Sequence, residues 1–155
     1  MQTLRRIVVG TDFSECAQHA LESAIMLANL SLARITLVHV CQLSGERGSP
    51  DAHSSQAMDD QILADCGEAL ANLVSGHARC GVEVTGVLRT GKPSEKLANV
   101  AAEVGASVIV IGRHGGGRGP GPEIGSVAEC VMRTASRPVL VIPAAFRVEL
   151  PSEGR

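Results

Sequence analysis

Five short apolar runs alternate with stretches of helical periodicity, and this alternation limits the possible folds more than any other feature. The runs occupy residues 4–9, 35–40, 82–88, 107–111 and 139–142. Four amphipathic stretches lie between them, the last over residues 126–134. Short aliphatic runs are typical of buried parallel strands, which require crossover connections. Because such crossovers are right-handed, the sequence predicts a single doubly wound α/β domain with a five-stranded parallel sheet and helices on both faces.

Local signals mark the ends of several elements. Ser14 suits the N-cap of the first helix, and Pro93 suits the first position of the third. Residues 41–55 contain Gly, Ser and Pro, and we expect them to form the most mobile loop. We expect the domain to span residues 1–143, with residues 144–155 forming a polar C-terminal tail.

The composition argues against several classes of function. The 155 residues include two Phe but neither Trp nor Tyr, so the chain lacks the aromatic platforms on which single-stranded nucleic acids and sugars stack. The formal net charge is -2, with acidic and basic residues interspersed, which gives no basic surface for nucleic acid. No stretch approaches the about 20 apolar residues of a membrane span. We expect neither nucleic-acid binding nor membrane insertion.

The cysteines give no sign of a metal site or a disulfide framework. They are Cys16, Cys41, Cys66, Cys80 and Cys130, an odd number at wide spacing without a Cys-x-x-Cys pair. The pattern is typical of small buried hydrophobic residues in a reducing compartment. The sequence therefore predicts a cytoplasmic protein without metal ligands.

A glycine-rich segment after the fourth apolar run carries the strongest functional signal. Two residues separate Gly112 from Gly115, and nine more lead to Gly125 and Ser126, where the fourth helical stretch begins. In open α/β sheets, ligands bind at the carboxyl ends of the strands, and a helix N-terminus there offers free N–H groups to an anion. Gly112 and Gly115 lack the Cβ atoms that would hold a ligand away from the backbone. The segment predicts a phosphate site, to which Ser126 adds a hydroxyl.

The spacing Gly-x2-Gly-x9-Gly-Ser resembles the ATP-binding signature of the universal stress protein family. Residues 7–14, 37–40 and 137–143 are also similar to that family, so the resemblance covers about residues 1–143. It implies an adenine-nucleotide α-hydrolase-like fold with strand order 3-2-1-4-5, which periodicity alone does not fix. That order would bring the loops after strands one and four together at a topological switch point.

The same resemblance implies ATP as ligand, with Mg²⁺, and a set of binding residues. They are Thr11, Asp12, Val40, Ile111, Gly112, His114, Gly115, Gly125, Ser126 and Val127. For Asp12 the alternative is capping of the first helix, and for Val40 it is simple core packing. We expect His114, between two glycines, to be exposed. The loop departs from the usual family pattern in having Gly116 where a basic residue commonly follows the second glycine.

Two rival nucleotide motifs fail on inspection. Residues 86–92 fit Gly-x4-Gly-Lys of a P-loop, but Pro93 stands where Ser or Thr should bind Mg²⁺, and Gly86 falls inside a predicted strand. The dinucleotide fingerprint Gly-x-Gly-x-x-Gly is not found in the glycine-rich loop, which argues against a dehydrogenase. Asp12 and Glu123 are the candidate carboxylates near the crevice, and no catalytic set can be assembled.

The sequence thus favours a nucleotide-dependent regulator in the stress response over an enzyme. It would bind ATP, act on a protein partner that the sequence does not identify, and form a homodimer through the edge strand at residues 139–142. The alternatives are a slow ATPase or self-phosphorylating enzyme, and a dimeric scaffold that binds no nucleotide.

Overall fold

A computed structural model describes residues 3–43, 56–116, 121 and 123–149 of the chain. Strands and helices alternate through these residues, as the apolar runs predict. The elements are β1 (Arg6–Gly10), α1 (Glu15–Ser31), β2 (Arg34–Cys41), α2 (Gln56–Gly76), β3 (Val84–Thr90), α3 (Pro93–Glu103), β4 (Val108–Gly112), α4 (Ser126–Thr134) and β5 (Val139–Ile142).

The five strands form one parallel sheet in the order β3-β2-β1-β4-β5. The predicted fold class and strand order are therefore confirmed. β1 is central: Arg6 pairs with Arg34 of β2, and Ile7 pairs with Val108 of β4. The third strand lies two residues later than predicted, because its pairing with β2 continues as far as Thr90.

Each face of the sheet has its own aliphatic core. Ile7 and Val9 of β1 pack beneath α1 and α2, whereas Val8 packs beneath α3 and α4. All three side chains are fully buried, and each stabilises the fold by about 1.5–3 kcal/mol relative to an exposed side chain. The helices that follow the neighbouring strands β1 and β4 cover opposite faces, so the switch point lies between these two strands.

The helix-start signals act as predicted. The Ser14 hydroxyl caps α1 by accepting a hydrogen bond from the N–H of Ala17 at 3.3 Å. Pro93 is the first residue of α3, where its missing N–H costs nothing. Ser14 and Pro93 thus mark where the connections from β1 and β3 become helical.

Parts of two predicted segments lie outside the described residues, namely residues 44–55 of the loop and residues 150–155 of the tail. The described residues after β5 return to the start of α1. There the Arg147 guanidinium donates to a carboxylate oxygen of Glu15 at 3.0 Å and lies 3.2 Å from Nε2 of His19. Within the part of the chain that the structure describes, no helix is long and apolar enough to cross a membrane.

Candidate functional site

A cavity of about 560 Å³ opens at the carboxyl ends of β1, β2 and β4. Its volume lies within the range of about 300–1,000 Å³ that is usual for small-molecule sites. The structure brings all ten predicted binding residues together in its lining: Thr11, Asp12, Val40, Ile111, Gly112, His114, Gly115, Gly125, Ser126 and Val127. The strand order explains this meeting, because the ends of neighbouring parallel strands share one edge of the sheet.

The turn after β1 forms one wall of the cavity and is tightly held. The Thr11 N–H donates to the Val38 carbonyl at 2.9 Å, and the Thr11 hydroxyl accepts from the Phe13 N–H at 3.0 Å. Phe13 has a φ of 64°, a left-handed conformation that costs a non-glycine residue about 1–2 kcal/mol. The hydrogen bonds of Thr11 hold the chain in this conformation and so fix the direction of Asp12.

Asp12 bridges the turn after β1 to the loop after β4. Its Oδ1 accepts a hydrogen bond from the Ser14 N–H at 3.0 Å, and its Oδ2 accepts one from the Gly116 N–H at 2.8 Å. A Cβ on Gly115 would lie 2.9 Å from that Oδ2, so a side chain there would force the carboxylate or the loop to shift. Ser14, and not Asp12, caps α1. The Asp12 carboxylate therefore joins the two loops that enclose the cavity.

The other two signature glycines also serve contacts within the protein. A Cβ on Gly112 would lie 2.9 Å from Sγ of Cys16 and 3.0 Å from its carbonyl oxygen. A Cβ on Gly125 would lie 3.0 Å from the carbonyl oxygen of Arg113. The sequence suggests that Gly112 and Gly115 leave room for a ligand. In the structure a Cβ at either position would meet protein atoms, so Gly112 lets β4 lie close to α1 and Gly115 lets its loop approach Asp12.

The first turn of α4 enters the cavity. Gly125 is the N-cap, and it makes no side-chain capping hydrogen bond. Ser126, Val127 and Ala128 line the cavity, and the N–H groups of a first helical turn have no partner within the helix. Arg113 belongs to the same lining. Free donors, the positive end of a helix dipole and a cation make this end of the cavity suitable for an anion.

The expected exposure of His114 is wrong, since only 8% of the residue is accessible. The physical reason is that Gly125 packs against His114: a Cβ added at Gly125 would lie 3.4 Å from the Cα of His114. The bridge from Gly116 to Asp12 folds the chain back on the other side. His114 is therefore held in the wall of the cavity, whereas Arg118 of the same loop lies outside the described residues.

Another part of the cavity wall is apolar. Val38 and Ile111 are buried in the core beneath α3 and α4, and Leu97 of α3 extends the same surface. Val40 is half-buried, packs against this core and lines the cavity as well. Val40 therefore packs on the core and also borders the cavity; its contact with a ligand stays a prediction.

His39, Cys41 and Cys66 form a cluster that sequence reasoning missed. One potential ligand atom from each lies within 4.8 Å of the others, and all three residues line the cavity. Burial, followed by the contact with Cys66, raises the pKa of the Cys41 thiol to about 12. The available signal was the spacing: residues 39 and 41 share one side of a strand, and Cys66 lies one helical turn before the buried Leu70.

The glycine and lysine of the rejected P-loop motif do not line the cavity, although Pro93 at its last position does. Gly86 lies inside β3, and Lys92 occupies the N-cap position of α3 without a capping hydrogen bond from its side chain. Neither residue belongs to the lining. The structure therefore agrees with the rejection that Pro93 suggests.

The fold and the cavity define a class of protein: an open, doubly wound α/β domain with a ligand-sized crevice at its switch point. Residues 3–143 match the sequence model of the universal stress protein family, and the chain belongs to that family.

Relatives and solved structures from several organisms are similar to this chain. A universal stress protein of Methanocaldococcus jannaschii is 24% identical over 153 residues, which cover 89% of this chain and 94% of the relative. A structure from the family in Burkholderia pseudomallei is 30% identical, with a TM-score of 0.73 over 92% of this chain and 98% of that one. A universal stress protein of Archaeoglobus fulgidus in complex with dAMP is 26% identical, with a TM-score of 0.67 over 91% and 99%.

Proposed function

We propose that this protein binds ATP in the cavity and acts as a nucleotide-dependent regulator in the stress response. One observation carries the proposal: α4 begins inside the cavity, and its N-cap, Gly125, makes no side-chain capping hydrogen bond. Such a helix start attracts phosphate through its free N–H groups and its dipole. The dAMP complex of the Archaeoglobus neighbour supports an adenine nucleotide as the class of ligand.

The chemistry of the lining suggests how the nucleotide would lie. The adenine would pack against Val40 and the apolar wall around it. The Asp12 carboxylate would accept hydrogen bonds from ribose hydroxyls. The phosphates would lie at residues 125–127, near Arg113. Mg²⁺ would arrive with the nucleotide, because it is usually held by phosphate oxygens and water, and the Ser126 hydroxyl is the side-chain oxygen at that end of the described lining.

We favour binding over turnover. Among the described residues of the lining, Asp12 is the carboxylate, and both of its oxygens accept backbone N–H groups. It is held as a structural bridge and is not positioned to take a proton from an attacking water. A slow ATPase remains the alternative, and phosphate release measured on the same sample separates the two functions. Turnover near the ~10 s⁻¹ of dedicated enzymes would contradict the regulator.

A homodimer through β5 belongs to the same proposal. β5 is an edge strand, and its Leu140 side chain is 38% exposed. Met132 and Phe146 are also large, exposed apolar residues in the adjoining segments. An uncovered apolar edge strand is a template for pairing with another chain. We place the dimer in the cytoplasm, where it would signal to a protein partner.

Calorimetric titration with ATP, ADP and AMP, with and without Mg²⁺, tests the proposal. We expect ATP to bind the parent protein and Ser126→Ala to weaken binding roughly 10- to 100-fold, since a hydrogen bond to a charged group contributes about 1.5–3 kcal/mol. Ser136→Ala is the control, because Ser136 is exposed and lies outside the lining. Circular dichroism checks that each variant is folded.

Two results would count against the proposal. If the parent protein binds none of the three nucleotides, the function is wrong. If Ser126→Ala binds ATP as tightly as Ser136→Ala does, the phosphates do not lie at the start of α4.

A further inference from the structure

The cluster of His39, Cys41 and Cys66 has the composition and shape of a metal site. His39 and Cys41 are alternate residues of β2, so their side chains leave the same face of the sheet. That face packs against α2, which supplies Cys66. Two sulfurs and an imidazole nitrogen are thus brought within 4.8 Å of one another from two different elements.

The separation of the donor atoms fits a small tetrahedral ion. Zinc binds thiolate sulfur at about 2.3 Å and imidazole nitrogen at about 2.0–2.1 Å, which places tetrahedral donors about 3.4–3.8 Å apart. Donor atoms that lie within 4.8 Å of one another therefore need to approach by about 1.4 Å at most. Cys66 and His39 are half-buried and line the cavity, so an ion can reach the site from the cavity side.

The hydrogen bond of His39 prepares its ring for a metal. Nδ1 lies 2.8 Å from the Thr11 carbonyl oxygen, which can only accept, so Nδ1 carries the proton and Nε2 carries the lone pair. Histidine ligands usually donate their second ring N–H to a carbonyl or carboxylate in this way. The Phe13 ring, with its centroid 4.4 Å from that of His39, further restricts the imidazole.

We propose that His39, Cys41 and Cys66 bind one Zn²⁺ ion through Nε2 and two thiolates, with the fourth coordination position open to the cavity. Two thiolates and an imidazole favour zinc over the oxygen-loving Mg²⁺. Binding releases the two thiol protons to solvent. The site uses no atom of a nucleotide, so the zinc proposal can be tested independently of ATP binding.

Cobalt titration of the reduced, chelator-treated full chain tests the site in the absence of nucleotide. We expect one equivalent of Co²⁺ to give thiolate charge-transfer bands and the visible bands of a tetrahedral ion, and Zn²⁺ to abolish both. Cys66→Ser and His39→Gln should each weaken Zn²⁺ binding by more than the about 10- to 100-fold typical of losing an outer partner. Cys80→Ser and Cys130→Ser are the matched controls and should bind as the parent does.

The nucleotide variant Ser126→Ala should keep its full affinity for zinc, which separates this test from that of the proposed function. Absence of the cobalt bands in the parent would overturn the site. Equal losses in the control cysteine variants would do the same. Binding of Cu⁺ but not Zn²⁺, unchanged in His39→Gln, would overturn the zinc assignment. The zinc site would also be overturned if the reduced protein binds no metal and mild oxidation forms a Cys41–Cys66 disulfide. The two cysteines would then be a redox pair.

Discussion

The bridge between Asp12 and Gly116 depends on the absence of a side chain at Gly115, and Gly115→Ala tests this dependence directly. The new Cβ would lie 2.9 Å from Asp12 Oδ2, so the carboxylate or the loop must move. At Gly116 the nearest atom to an added Cβ is the Cβ of Ser14, at an ordinary 3.7 Å. Neither glycine has a positive φ. Gly116→Ala is therefore a matched control at the adjacent position.

The magnitude follows from the bond that is lost. The Gly116 N–H donates to a charged oxygen at 2.8 Å, and such bonds contribute about 1.5–3 kcal/mol. Asp12 is exposed, so water replaces part of the contact, and we expect a loss of about 1–1.5 kcal/mol. This corresponds to a fall in Tm of about 2–6 °C. If the bridge shapes the ATP site, affinity falls about 5- to 10-fold as well.

Thermal unfolding and calorimetric titration measure both effects. Gly116→Ala should change stability by no more than about 0.5–1 kcal/mol, in either direction. In an Asp12→Ala background Gly115→Ala should be nearly neutral, because the atom that it displaces is gone. Equal costs at the two glycines, or an undiminished cost in the Asp12→Ala background, would refute the reasoning.

Two further predictions concern the rejected motif and the assembly. Lys92→Ala should leave ATP affinity within a few-fold of the parent in calorimetry, because Lys92 lies outside the cavity lining; a collapse of binding would move the phosphate site to the β3–α3 connection. Leu140→Lys should convert a dimer into a folded monomer, since it places a charge on the exposed part of β5. Light scattering read beside circular dichroism measures this change, and a parent protein that is monomeric at micromolar concentration would contradict the assembly.

The sequence predicts the elements well because each apolar run is short and clearly bounded. Residues 126–134 and 139–142 agree with the observed α4 and β5. The third strand was misplaced because β3 is an edge strand, whose limits depend on pairing with β2 more than on its own hydrophobicity. The strand order is predicted by the family resemblance alone. Strands pair through backbone atoms, so the composition of one strand does not reveal its neighbours.

The ten predicted binding residues meet at one cavity because they lie at or beyond the carboxyl ends of β1, β2 and β4, or at the start of α4. The burial of His114 could not be predicted, because it depends on Gly125 packing against it across a gap of ten residues. The meeting of Cys41 and Cys66 depends on the rotation of α2 about its axis. If the register of α2 shifted by one residue, the Cys66 thiol would turn away from Cys41 by about 100°.

The carbonyl of Thr11 links two regions with different chemistry. It accepts a hydrogen bond from Nδ1–H of His39, while the Thr11 hydroxyl shapes the turn that holds Asp12. A shift of this peptide group would therefore move both the turn that holds Asp12 and the His39 ring beside Cys41 and Cys66. Thermodynamic linkage then requires reciprocity: by whatever factor an ion at the cysteines changes the affinity for nucleotide, nucleotide must change the affinity for the ion by the same factor.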